Sequence, residues 1–281
     1  MRRQSPQASA DPAPMYDAFA PYYDLWTTMA AGTRHDIGFY VGLAAQLAPE
    51  AEIVELGVGT GRVALAVAAT GRRVTGVDNS PAMLEKARAK ARAAGVEPLM
   101  VLVCAEFLAW SPPPGTADLI YCPYHTLGHL LAPSDRKALF QSVFCALRPG
   151  GRFAFTIHGR AFSQGLRHGH LADRDSVPFT PMGELDVDGA RVSVEHREIF
   201  DPTDQVAYTE VRSRAETGGD VVRERAWAFA AAVPERQEVE ALARDLGFVV
   251  ERLSGAFDRQ VEPIDEQVWT LRKPLGIGAG G

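Results

Sequence analysis

The residues with the clearest chemical purpose are Glu55-Leu56-Gly57-Val58-Gly59-Thr60-Gly61, three glycines at alternate positions directly after the apolar run AEIVEL. Glycine lacks a Cβ, so a backbone turn of this composition lets a ligand approach the main chain closely. Asp78 ends the next apolar run, RRVTGVD, 21 residues after Gly57. An acidic side chain at that place accepts hydrogen bonds from ribose hydroxyls. Together the two features describe a nucleoside-binding turn; the plainer alternative is a tight turn followed by a solvent-facing aspartate. The pyrophosphate fingerprint of dinucleotide binders is G-x-G-x-x-G, and the two-residue spacing here speaks against it.

A second group follows the apolar run TADLIYC: Pro123-Tyr124-His125-Thr126-Leu127-Gly128-His129-Leu130. Imidazole titrates near neutrality, which makes His125 the candidate general base, with a packed or hydrogen-bonded loop histidine as the alternative. His125 and His129 are four apart, but no third ligand stands at helical spacing, and His168, His170 and Asp173 are equally loose, so no metal is expected. Cys104, Cys122 and Cys145 form no C-x-x-C pair, and Cys104 and Cys122, at the ends of apolar runs, are expected to be buried free thiols.

The elements that must hold these residues alternate. AEIVEL, RRVTGVD, PLMVLVC, TADLIYC and GGRFAFTIH read as strands, with helices GRVALAVAA, SPAMLEKARAKARAAG and SDRKALFQSVFCALRPG among them. Ser80 is the expected N-cap, Pro81 the first turn and Gly95 the C-terminal stop of the second of these helices. This rhythm means βαβ units, a parallel sheet and helices on both faces. Upstream, residues 1–14 are rich in Pro, Ser, Ala and Gln and are expected to be a disordered tail, and 15–48 to form two helices, the second from about His35 to Leu47. Beyond His158 the pattern changes. Residues 160–183 show no period and read as a loop or broken helix. RVSVEHREIF, QVAYTEVRSRAE and VVRERAWAFAAA read as three antiparallel strands with turns at DPTDQ and ETGGD. A helix, PERQEVEALARDLG, and two strands, FVVERLSG and EQVWTLRK, close the chain, and 274–281 is an expected flexible tail.

The motif E-x-G-x-G-x-G resembles that of class I S-adenosylmethionine-dependent methyltransferases, over roughly residues 15–158 and the terminal helix–strand–strand. The resemblance implies a Rossmann-like α/β fold with a seven-stranded, mostly parallel sheet and a small antiparallel insertion. It implies a methyltransferase domain over 15–159 and 233–273, capped by 15–48, with 160–232 as the acceptor lobe and candidate homodimer surface. It implies S-adenosylmethionine as cofactor, with Glu55, Gly57, Gly59 and Gly61 at the methionyl end, Asp78 at the ribose, and Asn79 and Met83 beside the adenine. Ala105-Glu106-Phe107 matches the motif near the adenine amino group. Cys122, at the end of the fourth strand, is a candidate cofactor-binding residue, and Tyr124, in the loop next to the sulfonium, is a candidate catalytic residue with His125. Met15-Tyr16 and Phe19-Ala20-Pro21-Tyr22-Tyr23-Asp24 are similar to a segment of N-methyltransferases that act on nucleotide-linked amino sugars in antibiotic pathways. Tyr16, Tyr22 and Tyr23 are candidates to close over the cofactor, with ordinary packing of an aromatic helix as the alternative. Two departures concern the acceptor: His125 stands for a small hydroxyl residue, and His158-Gly159-Arg160 for a tryptophan pair.

Net charge is −6, which on average repels duplex nucleic acid and anionic membranes, so neither is the expected partner. No apolar run reaches the roughly 20 residues of a membrane span and the N-terminus is not a secretory signal, so a cytoplasmic protein is expected. The expected reaction is methyl transfer to a nitrogen of a small molecule. O- or C-methylation is the alternative within that class; a nicotinamide oxidoreductase and a non-catalytic cofactor-binding module are alternatives from other classes.

Overall fold

The computed structural model describes residues 13–29, 36–187, 189–218 and 220–275. Strands β1 (Ile53–Leu56), β2 (Val74–Asp78), β3 (Met100–Cys104), β4 (Ala117–Cys122) and β5 (Leu147–His158) pair in parallel. Two antiparallel pairings complete a sheet of order β11-β12-β5-β4-β1-β2-β3, whose last strands by sequence are β11 (Val249–Ser254) and β12 (Glu266–Arg272). This is an α/β sheet of Rossmann-like kind with seven mostly parallel strands.

β1 is buried along its whole length because helices cover both faces. Val54 belongs to one hydrophobic cluster, with Phe140, Phe153, Phe155 and Trp269; Ile53 belongs to the other, with Tyr40, Val63 and Leu84. Full burial of a side chain such as Phe153 contributes roughly 1.5–3 kcal/mol. The helices that supply these layers are α1 (Ala13–Met29), α2 (Asp36–Ala45), α3 (Arg62–Ala68), α4 (Pro81–Ala93), α5 (Pro133–Ala146), the short α6 (Arg160–Gly165) and α7 (Arg236–Asp245). α4 starts where Ser80 Oγ accepts from the Met83 amide, with Pro81 in the first turn, and it buries Met83, Ala87 and Ala91 at four-residue spacing.

The second sheet occupies β6 (Arg167–His168), β7 (Thr180–Val187), β8 (Ala190–Asp201), β9 (Val206–Thr217) and β10 (Asp220–Ala232), with β8 between β7 and β9. β7 is a correction to the sequence reading, which has an aperiodic stretch up to residue 183. Its Pro181 and Gly183 break the alternation, and the pairing with β8 shifts register between them; edge strands tolerate both residues. Residues 160–176 hold α6, the short strand β6 and a 3₁₀ turn over Leu171–Ser176.

Two further expectations need correcting. Cys104 is exposed, because β3 is the edge strand of the large sheet; Cys122, at the end of a central strand, is buried. α1 begins at Ala13, inside the stretch read as a tail; residues 1–12 and 276–281 of the two expected tails lie outside the described residues. Among the described residues no helix is long and apolar enough to cross a membrane.

Candidate active site

The glycine turn leaves β1 with Gly57, Gly59 and Gly61 all at positive φ, the left-handed region that side chains disfavour. A Cβ on Gly57 would collide with the Thr126 side chain in the loop after β4, so this glycine lets the two loops touch. The Gly59 amide donates to Asp78 Oδ2 at 2.8 Å and the Ser80 amide to Asp78 Oδ1 at 2.9 Å. Asp78 thus braces the turn, and each carboxylate oxygen keeps lone-pair capacity for ligand hydroxyls. Burial raises its carboxyl above the usual range, against the pull of those two amides.

These residues form one wall of a cavity of about 490 Å³. Met83, Asn79, Glu106 and Phe107 continue the wall, and the Asn79 side-chain amide donates to Glu106 Oε1. α1 lies across it. Asp17 accepts from Ser80 Oγ at 2.6 Å, Asp24 accepts from Thr60 Oγ1 and pairs with Lys90, both at 2.6 Å, and the Tyr23 ring stands against Gly59. Tyr16 reaches His129 Nε2 at 2.8 Å. Burial pushes His129 down to about 4, so its imidazole is neutral across the physiological range.

The loop after β4 carries two successive non-glycine residues in the left-handed region, Tyr124 (φ 54°) and His125 (φ 57°). Such strain persists where surrounding structure enforces it, and it clusters at functional sites. Here the His125 amide is held by Thr156 Oγ1 at 3.2 Å, and His125 Nε2 meets Glu266 Oε1 at 2.7 Å. Behind it the rings stack: His125 on His158 at 3.7 Å between centroids, and His158 on Phe162 at 3.7 Å. Burial, and then the charge of His125, holds His158 well below the usual histidine range.

The insertion roofs the cavity with Glu198 from β8, Thr209 and Val211 from β9, and Trp227 and Phe229 from β10. Five carboxylates line the space, Asp78, Glu106, Asp135, Glu198 and Glu266, and no lysine or arginine among the described residues does. S-adenosylmethionine carries a sulfonium and an ammonium, so the residues present fit it. A pyrophosphate does not suit this lining, because the Gly59 amide is already bonded and the walls are anionic.

Residues 53–151 match a family model described as a methyltransferase domain. The chain carries a methyltransferase domain over this span. Relatives of this domain include a trans-aconitate 2-methyltransferase of Paracidovorax citrulli, 39% identical over 114 residues, which cover 40% of each chain; the match thus spans well under two thirds of that relative. Among solved structures, the methyltransferase CcbJ of Streptomyces caelestis superposes with a TM-score of 0.78 at 26% identity, over 94% of this chain and 99% of that one. The sugar N-methyltransferase KedS8 of Streptoalloteichus superposes at 0.69 with 15% identity, over 98% and 99%.

Of the residues singled out in the sequence, Tyr16, Tyr23, Gly57, Gly59, Asp78, Asn79, Met83, Glu106, Phe107, Tyr124 and His125 line the cavity of the methyltransferase domain. Five others do not. Gly61 caps α3 and faces Ala87; Glu55 is buried; Cys122 is fully buried in the core, which raises its thiol. Ala105 packs against the core cluster, and Tyr22 packs on Trp227 instead of closing over the cavity. Sequence reasoning assigns no site role to Glu266; it makes the insertion the acceptor lobe without singling out its lining residues, and it marks His158 only as a departure that concerns the acceptor. Residues 125 and 266 are brought together by the antiparallel pairing of β12 with β5, which sets Glu266 opposite His158. The available signal is that His158 ends one apolar run and Glu266 begins another. Among the described residues no group of His, Cys, Asp and Glu has a metal-binding arrangement.

Proposed function

We propose that this chain methylates an amine nitrogen of a small molecule, using S-adenosylmethionine. The observation that carries the reading is the lining: five carboxylates without a lysine or arginine among the described residues favour a cationic acceptor. A polycarboxylate such as trans-aconitate, the substrate named for one relative, would meet like charge from Asp135, Glu198 and Glu266. CcbJ and KedS8 share the fold, and KedS8 is a sugar N-methyltransferase, which fits the reading.

The bound cofactor supplies an electrophilic methyl group. The protein must then place a nitrogen in line and remove its proton, because an ammonium has no lone pair. In this reading Gly57, Gly59, Asp78, Asn79, Met83, Glu106 and Phe107 hold the cofactor, with Tyr16 and Tyr23 closing over it, and Tyr124 and His125 face the methyl group. Glu266 accepts from Nε2–H of His125, which orients the ring and leaves Nδ1 as the proton acceptor. The proton leaves to solvent, and the products are the methylated amine and S-adenosylhomocysteine.

Mass spectrometry of an amine panel incubated with methyl-labelled cofactor tests the reaction; label on hydroxyl or carboxyl acceptors alone would overturn it. His125→Ala should lower the rate about 10- to 1000-fold, at or below the usual worth of a general base. The deficit should shrink as pH rises, since the amine then arrives deprotonated. An O-acceptor would keep the deficit at every pH.

A further inference from the structure

The roof of the cavity holds one of the five carboxylates, Glu198, apart from the residues given a role in methyl transfer. β8, β9 and β10 pair so that Glu198, Thr209 and Phe229 stand in one cross-strand row, and His196, Val211 and Trp227 in the next. Alternation puts both rows on the face turned toward the methyltransferase domain. Of these side chains Glu198, Thr209, Val211, Trp227 and Phe229 line the cavity, and Glu198 is the one carboxylate that the insertion contributes to it. It is four-fifths buried against solvent. The Thr209 hydroxyl donates to Oε1 at 2.8 Å, and the nearest ionic neighbour among the described residues is His196, 3.8 Å from Oε2. No arginine or lysine among the described residues pairs with it, whereas Glu210, on the other face of the same sheet, pairs with Arg197 and Arg212.

A mostly buried carboxylate without a strong cation partner costs stability unless something else meets its charge. A carboxylate that shares a cavity face with tryptophan and phenylalanine suits an organic ammonium, which gains from the anion and from the ring faces together. We infer that Glu198, held by Thr209 and facing the same cavity as Trp227 and Phe229 across β9, is the ammonium site that selects the acceptor. The inference rests on the amine reading above and adds where the charge is held: on the insertion, in a separate sheet from the residues proposed to remove the proton. The acceptor is then a protonated amine with an apolar body, bound as a cation before His125 and Glu266 act on it.

The test uses the full chain and two probes that cannot be methylated at nitrogen: choline and its uncharged carbon isostere, titrated by NMR with and without S-adenosylhomocysteine. Choline should bind and the isostere should bind at least about ten-fold more weakly, the worth of one charged contact. Glu198→Gln should weaken choline by about 10- to 100-fold and leave the affinity for S-adenosylhomocysteine unchanged. Thr209→Val, which keeps the carboxylate and removes its support, should weaken choline a few-fold and serves if Glu198→Gln does not fold. Equal choline affinity in a folded variant and the wild type would overturn the inference, as would isostere binding as tight as choline. Loss of S-adenosylhomocysteine binding in the wild type would instead overturn the methyltransferase reading, with the choline titration still readable.

Discussion

Glu55 illustrates how one residue of a binding motif serves the fold while standing outside the cavity. It sits at the centre of the sheet, 2% exposed, beneath the turn that its own motif forms. Burial pushes its carboxyl up to about 8, against smaller pulls from Tyr121 and Arg62. At neutral pH the folded protein therefore holds it mostly protonated. The sign follows from linkage: the folded value lies above the unfolded one, so the folded state binds the extra proton. Its contribution is whole below about 4.5, falls as pH rises to about 8 and is constant above that. Glu55→Gln mimics the protonated side chain and removes the titration. Melting temperatures of the two proteins should be close at pH 5 and separate in favour of Glu55→Gln by pH 9. A gap of constant size across that range would show that Glu55 is ionised throughout.

At the scale of elements, the glycine turn is readable because its chemistry is local: glycine spacing, the strand before it and the aspartate that ends the next strand all lie within one βα-β unit. What touches the turn from afar leaves no such mark. Gly59 faces the Tyr23 ring of α1, and its amide is taken by Asp78. Gly59→Val therefore places a branched side chain at positive φ, on the cavity wall and against α1. Calorimetry with S-adenosylhomocysteine should show at least a hundred-fold loss of affinity, while circular dichroism keeps the native helix and strand content. Wild-type affinity in this variant would move the cofactor away from the turn. The same contrast of local and distant signals explains the rest of the reading. α4 announces itself through Ser80, Pro81 and Gly95, whereas β7 hides behind Pro181 and Gly183. The pairing of His125 with Glu266 spans 141 positions and depends on strand order, which no spacing in the chain records.

At the scale of the whole molecule, the sequence divides the chain into a cofactor domain and an insertion, yet α1 ties the two together. Its Asp17 and Asp24 bind α4 and the glycine turn, while Phe19 and Tyr22 meet Trp227 of β10 with ring centroids 5.1 Å and 5.6 Å apart. Phe19, Val192, Val194, Val211 and Trp227 form one hydrophobic cluster, with Tyr16 and Tyr23 packed against it. The α1 side chains over the cavity wall are thus supported from behind by the insertion. Replacing residues 160–232 with a short linker would strip that support, so it should weaken the cofactor as well as abolish turnover. A double-mutant cycle isolates the contact more cleanly. Phe19→Ala and Trp227→Ala should each weaken S-adenosylhomocysteine, although Trp227 belongs to the insertion. Because the two rings share one contact, the double variant should lose less than the sum of the singles, by about 0.5–1.5 kcal/mol. Losses that simply add would mean that each ring acts alone, and that α1 covers the cofactor without help from the insertion.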